Sequence, residues 1–455
     1  MYRLPREVNM VLDAMTARGF HPYLVGGCVR DLLLGSEPSD YDMTSDALPE
    51  EVMAIFGERA HPTGLQHGTV SVCCGGRVFE ITTMRMDGVY HDLRHPDAVT
   101  FTDRIELDLA RRDFTINAMA LSPKGELTDL FGGREDLRRG ILRTVGEPRE
   151  RFSEDALRIL RLLRFASVLG FCVEENTADA ARELRGNLQS VAAERIRVEM
   201  DKLLCGKAVS RVLLAYPDIL GAVIPELLPC VGFEQRNPHH TYDVWTHTAK
   251  TVENVPPDRI LRWTMFFHDL GKPQTFTVDE EGIGHMFGHT EISRQMASEV
   301  MKRLRFDRAA ATKVDHLLNA FDDLFLPSRR EVYREAVRCG KEEMRLLLLC
   351  KTSDGAAKAP DTAEEERKRW SAAQKEYEEL LAEDACFSLS ELRISGNDLK
   401  EIGFCGKDIG AVLEKLLQEV VKERVSNEKE DLLARAQRLY RSNFAGAKKQ
   451  KNCLQ

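Results

Sequence analysis

Three acidic residues and a glycine turn near the N-terminus carry the first chemistry in the chain. Asp40 and Asp42 stand two apart in Ser-Asp-Tyr-Asp-Met-Thr, and on a strand residues i and i+2 project from one face. Two convergent carboxylates repel each other unless a cation sits between them, and hard oxygen ligands suit Mg²⁺. Two such ions would activate a hydroxyl and stabilise a leaving pyrophosphate; a turn or helix-cap pair is the plain structural alternative. Glu80, the only acid in the strand-like run Arg77–Thr83, either completes this metal site or anchors a neighbouring arginine such as Arg85. Upstream, Gly26-Gly27-Cys28-Val29-Arg30-Asp31 follows the apolar run Tyr23–Val25. Glycines at a strand-to-helix turn let backbone N–H groups approach a polyphosphate, and the helix points its positive end at the same place. Arg30 adds a charged donor.

A second constellation lies in Arg151-Phe152-Ser153-Glu154-Asp155-Ala156-Leu157-Arg158-Ile159-Leu160-Arg161. At about 3.6 residues per turn, Glu154, Asp155, Arg158 and Arg161 fall within an arc of roughly 120° on one helix, opposite an apolar side. Ser153 is the expected N-cap. Read alone, this is a solvated face in which Glu154 and Arg158 pair at i,i+4.

The elements that must position these groups fall into two regimes. Up to about residue 145, short apolar or β-branched runs alternate with helical patterns, separated by Gly-Gly and Asn/Asp/Pro turns. Beyond 150 the period becomes helical to the end. The expected architecture is α+β: a mixed α/β head over 1–145, an all-α neck over 146–205, a helical body over 206–330 and a helical tail over 331–455. The charged stretch Ala356–Glu378 reads as either a linker or an exposed helix.

The Gly-Gly-x-x-Arg-Asp turn, the Asp-x-Asp pair and Arg111-Arg112-Asp113-Phe114-Thr115-Ile116-Asn117-Ala118-Met119-Ala120 together resemble the head of the class II tRNA nucleotidyltransferase and bacterial poly(A) polymerase family. The resemblance implies a polymerase-β-like head in which Asp40 and Asp42 bind two Mg²⁺, Glu80 assists, and Gly26, Gly27, Arg30, Arg111, Arg112, Asp113 and Asn117 bind the nucleotide. It turns the Glu154-Asp155-x-x-Arg158 segment, with Arg161, into a nucleotide reader. The chemistry is consistent: cytosine and adenine both present an amine beside an unprotonated ring nitrogen, which a carboxylate and a guanidinium complement. Uracil and guanine reverse that order and leave buried groups mispaired. Thr63–Val72, the loop Arg85–Pro96, and Leu392–Leu399 with Gly403, Gly406 and Gly410 resemble the branch that adds C, C and A to tRNA 3′ ends from CTP and ATP. The segment Glu194–Glu199 is expected to brace the reader through ion pairs. Poly(A) polymerase is the first alternative.

Histidines recur about every 20 to 27 residues as His247, His268-Asp269, His289 and His316. Their order resembles an HD phosphohydrolase domain, which implies a divalent transition metal held by His247, His268, Asp269 and His289, with His316 or Asp315 as further candidates. A degenerate fold kept for packing, and a chain that works chiefly as an HD phosphohydrolase, are the other readings.

Composition sets the outer limits. The 455 residues are 43% hydrophobic and 30% charged, with net charge −9, a balance that does not announce a nucleic-acid binder. The 11 cysteines are scattered without a C-x-x-C pair, so neither a zinc ribbon nor a disulfide framework is indicated. No apolar run approaches the ~20 residues of a membrane span, and a cytoplasmic protein without a membrane partner is expected. Oligomeric state is not legible.

Overall fold

A computed structural model describes residues 4–65, 68–88, 99–322 and 325–451. Gln66 and His67 of the expected turn, and positions 89–96 of the expected loop, lie outside the described residues. The chain forms two compact units, Met1–Leu228 with Val300–Phe306, and Pro229–Glu299 with Asp307–Gln455.

The first unit begins with helix Arg6–Thr16, which buries Val8, Val11, Leu12 and Met15, the i, i+3, i+4, i+7 stripe of an amphipathic helix. Among the described residues up to 130 the strands are β1 Tyr23–Val25, β2 Met43–Ser45, β3 Ala60–Gly64, β4 Thr69–Cys74, β5 Arg77–Thr83, β6 Arg85–Asp87, β7 Val99–Phe101, β8 Met119–Leu121 and β9 Leu127–Asp129. Seven make one mixed sheet in the order β3-β4-β5-β2-β1-β8-β9, while β6 and β7 form a separate ribbon. In β5, Phe79, Ile81 and Thr83 are buried while Val78 and Glu80 are exposed, the period-2 alternation of a strand with one face on the core. The parallel pairing of β2 with β5 aligns Met43 with Ile81. One step back along the same register, Asp42 comes beside Glu80.

The neck of this unit is helical. Helix Leu157–Leu169 buries Leu157, Ile159, Leu160, Leu162, Leu163, Phe165 and Ala166 and packs against helix Ala193–Leu204. Each fully buried Leu or Ile contributes about 1.5–3 kcal/mol of burial.

The second unit is almost wholly helical. The charged stretch after 356 is the helix Pro360–Ala382, with proline at its first turn and Trp370, Ala373, Tyr377 and Leu380 buried. That spacing is a single narrow stripe, so the helix carries charge outward and packs inward. One hydrophobic cluster runs from Leu317 through Trp370 and Tyr377 to Leu439, crossing the expected boundary at 330. Among the described residues no helix is long and apolar enough to cross a membrane.

Candidate functional site

The paired aspartates stand where the extended chain enters β2, not inside a strand as expected: the strand starts at Met43. Their geometry survives because the lead-in is itself extended, with Tyr41 buried and Asp40 and Asp42 exposed on the other face. The Asp42 carbonyl accepts from Val25 N at 3.0 Å and ties this segment to the end of β1. Desolvation at the sheet surface, then the charges of Asp40 and Glu80, push the Asp42 carboxyl up to about 6. Three acids therefore share one open surface, and their own repulsion makes a cation welcome there.

Beside them, Gly26 ends β1 at φ +73° and caps helix Gly27–Leu33. A Cβ here would sit 3.2 Å from Arg112 Nη1 and 3.8 Å from Asp42 Oδ2, a tight fit beside the arginine tip, and the positive φ is what calls for glycine. Arg111 and Arg112 follow helix Ile105–Ala110, and Arg112 reaches this turn. Both are held by Asp108, a fully buried residue that the sequence reading missed. Arg111 donates through Nε at 3.0 Å and Nη2 at 2.7 Å to Oδ1, and Arg112 through Nη2 at 3.0 Å to Oδ2. Although burial works against its charge, the two guanidiniums hold Asp108 below the usual carboxylate range.

Asp113 and Asn117 are buried, and they join parts of the site to one another. Arg30 Nη1 donates to Asn117 Oδ1 at 2.9 Å, Asn117 donates to Asp113 Oδ1 at 3.1 Å, and Arg161 donates to Asp113 Oδ2 at 2.9 and 2.6 Å. Despite burial, the Arg161 guanidinium keeps the Asp113 carboxyl down at about 2. The guanidiniums of Arg30, Arg161 and Arg164 also surround the Phe165 ring, at 5.2, 5.6 and 3.9 Å from its centroid. The phosphate-type turn and the neck are thus one connected polar assembly.

The expected single reader helix is two helices. Pro148–Glu154 ends at Asp155, which adopts extended backbone (φ −138°), and Leu157–Leu169 begins after Ala156. Ser153 consequently lies inside the first helix, and the capping role falls to Asp155, whose Oδ1 accepts from Leu157 N at 3.1 Å. Asp155 Oδ2 accepts from Arg195 at 3.0 Å, and Arg164 Nε lies 2.8 Å from Glu199 Oε2, so the Glu194–Glu199 segment does brace the elbow. Arg158 crosses the break. Its Nη1 donates to Glu154 and to Arg151 O at 3.0 Å, and its Nη2 donates to Arg111 O at 3.1 Å. A guanidinium has five donors, so these three bonds fix Arg158 against the arginine pair and leave Nε and one Nη2 hydrogen. An uninterrupted helix would have set Asp155 by its spacing alone; the break sets it by its partners.

The second unit gathers its own cluster. His247 Nε2, His268 Nε2 and Asp354 Oδ1 lie within 4.8 Å of one another. His268 Nε2 is 3.2 Å from Asp269 Oδ2, and His289 Nε2 stands at the rim, 3.5 Å from Asp269 Oδ1. Asp354, from helix Lys341–Ala356, is the member that the sequence reading missed. Asp315 instead pairs with Arg294 at 3.0 and 3.1 Å, and His316 is exposed, so neither joins the cluster. Lys272 Nζ lies 2.7 Å from Asp269 Oδ2 and Lys358 Nζ 2.9 Å from Asp354 Oδ2. Burial opposes charge on both acids, yet His268 and Lys272 drive Asp269 well below the carboxylate range, and Lys358 and His247 do the same for Asp354. Burial opposes the imidazolium too, but Asp269 and Asp354 push His268 up to about 9. Asp269, His289 and Asp354, with Lys272 and Lys358, line a cavity of about 280 Å³.

Exposed acids beside a phosphate-type turn, two arginines and an acid–guanidinium elbow define a nucleotidyltransferase. Residues 22–143 match the Poly A polymerase head domain family, 170–230 the probable RNA and SrmB-binding site of polymerase A, and 274–436 the putative tRNA nucleotidyltransferase domain 2. A CCA-adding enzyme from Levilactobacillus brevis is 32% identical over 435 residues, 95% of this chain and 98% of that protein. One from Oceanobacillus iheyensis is 47% identical over 207 residues, 46% of this chain, and the match spans about half (52%) of that relative's length. The crystal structure of the Bacillus stearothermophilus CCA-adding enzyme in complex with CTP aligns with a TM-score of 0.71 at 28% identity, covering 97% of this chain and 98% of that one. The chain belongs to the CCA-adding enzyme family.

Proposed function

We propose that the chain adds C, C and A to the 3′ end of tRNA from CTP and ATP without a nucleic-acid template, releasing pyrophosphate. The observation that carries this reading is the bond from Arg158 to the Arg111 carbonyl, which fastens the base-reading elbow to the residue preceding Arg112, the arginine beside Asp42. Asp40 and Asp42, with Glu80 alongside, would hold two Mg²⁺, which when bound lower the pKa of a 3′-hydroxyl and screen pyrophosphate charge. The raised Asp42 carboxyl and the open face fit that role. Arg111 and Arg112 bind triphosphate oxygens in bidentate fashion. Asp155 accepts from the exocyclic amine of cytosine or adenine, and the remaining Arg158 donors address the adjacent ring nitrogen. A uracil or guanine would face acceptor with acceptor and donor with donor, at the cost of buried unpaired groups.

The experiment presents tRNA lacking its last one, two or three nucleotides with each NTP separately. CTP should be used on the bare end, ATP only after two C's, and extension should then stop. A ladder of A's on unrelated RNA would instead make the chain a poly(A) polymerase.

The second unit supports an additional reading, an HD-type site with one divalent transition metal. His268 Nε2 and Asp269 Oδ2 are buried without a hydrogen bond of good geometry, and two imidazoles with two carboxylates form a donor set for such a metal. His247, His268, Asp269 and Asp354 would hold it, and it would supply an activated water for phosphate-ester hydrolysis. Metal content after equilibration with Ni²⁺ or Mn²⁺ tests this: about one ion bound by the intact chain and none by His268→Ala. No binding in the intact chain refutes it.

A further inference from the structure

The geometry points to Asp108 as a positioning residue for nucleotidyl transfer, one that sets the triphosphate-binding power of the head without touching substrate; this rests on the transferase reading above. Arg111 and Arg112 are consecutive cations, and Arg112 faces the phosphate-type turn at Gly26. Side by side they repel, and left alone each long side chain would fan into solvent. Asp108 lies three and four residues earlier on the same helical turn, the spacings at which side chains meet. It is fully buried, and each carboxylate oxygen takes one arginine. The backbone N–H of Arg85 also approaches Oδ1, at 3.4 Å, so the acid is anchored to the β6 ribbon as well.

The consequence is specific. With Asp108 charged, two guanidiniums are held together, one of them with Nη1 3.2 Å from the Gly26 Cβ position. With the charge removed, the pair separates, and what weakens is the grip on phosphate. Base choice belongs to Asp155 and Arg158, which Asp108 does not contact.

The test compares the intact chain with Asp108→Asn, which keeps the shape and loses the charge, and Asp108→Glu, which keeps the charge on a longer arm. The readouts are KM and kcat for CTP and ATP, binding of inorganic pyrophosphate, CTP-over-UTP preference and thermal midpoint. Asp108→Asn should raise both KM values and weaken pyrophosphate binding by about tenfold, the size of one charge-assisted hydrogen bond. Base preference should be unchanged, and Asp108→Glu should recover part of the loss. The inference is overturned by an altered thermal midpoint with unaltered pyrophosphate binding, by blurred base preference, or by failure of both variants to fold. Absence of transfer in the intact chain would defeat the functional reading instead, and pyrophosphate binding would still decide the role of Asp108.

Discussion

The head and the helical body each gather several acids, yet their electrostatics are opposite. In the head, Asp40, Asp42 and Glu80 lie on an exposed surface, and desolvation with mutual repulsion raises Asp42 to about 6. In the body, Asp269 and Asp354 are enclosed with Lys272, Lys358 and His268, and both fall well below the carboxylate range. In one cluster Arg112 offsets only part of the charge, so the acids still call for cations from solution. The other carries its own cations, so an incoming metal must displace them. Counting acids does not separate these cases; the direction of the carboxylate shift does.

The sharpest way to break the contrast is at Asp42. Asp42→Ala should lower transfer by at least about a thousandfold in single-turnover assays, while leaving any metal bound in the body undisturbed. Near-wild-type transfer would remove the head site. Next in size, Arg158→Ala should reduce discrimination of CTP against UTP by roughly ten- to a hundredfold, and retained strict choice would refute the elbow as reader.

The pH dependence sharpens the comparison further. Without metal, the folded state holds the Asp42 proton more tightly than an unfolded chain, whose aspartate titrates near ~3.9. The contribution of Asp42 to apo stability is therefore present below that value and lost as pH rises through about 6. Mg²⁺ competes with the same proton, so the Mg²⁺-induced rise in thermal midpoint should be clear at pH ~7.5 and mostly gone at pH ~5. Equal rises at both pH values would contradict this. A smaller effect is expected in the body, where Lys358→Met removes a built-in cation and should tighten Ni²⁺ binding by about tenfold. Weaker binding by calorimetry would show that the lysine supports the ion. The smallest effect is expected from Arg195→Met, which frees Asp155 from its brace and should cost only about two- to fivefold in base choice.

How much was legible beforehand depended on distance along the chain. Alternation around Tyr41 and in Arg77–Thr83 exposed the three acids, because a period of two is a local property of extended backbone. The Gly26 turn was legible for the same reason. The helix break at Asp155 was not: Glu154 through Arg161 satisfy helical spacing, and the interruption is paid in contacts to Arg195 and Arg111 that no local pattern records. Asp108 had a readable signal, its spacing to Arg111 and Arg112, but only its burial shows that the pair depends on it. Asp354 meets His247 across 107 residues, and Asp315, closer in sequence to the other histidines, turns to Arg294 instead.

By itself, then, the amino-acid order determined the chemistry available: acids with period two, glycines at a strand end, paired arginines and an acid–guanidinium segment, all short-range patterns set by backbone geometry. Tertiary structure alone decided which of those groups remain open and which are neutralised, because desolvation and ion pairing depend on neighbours that packing brings from far along the chain.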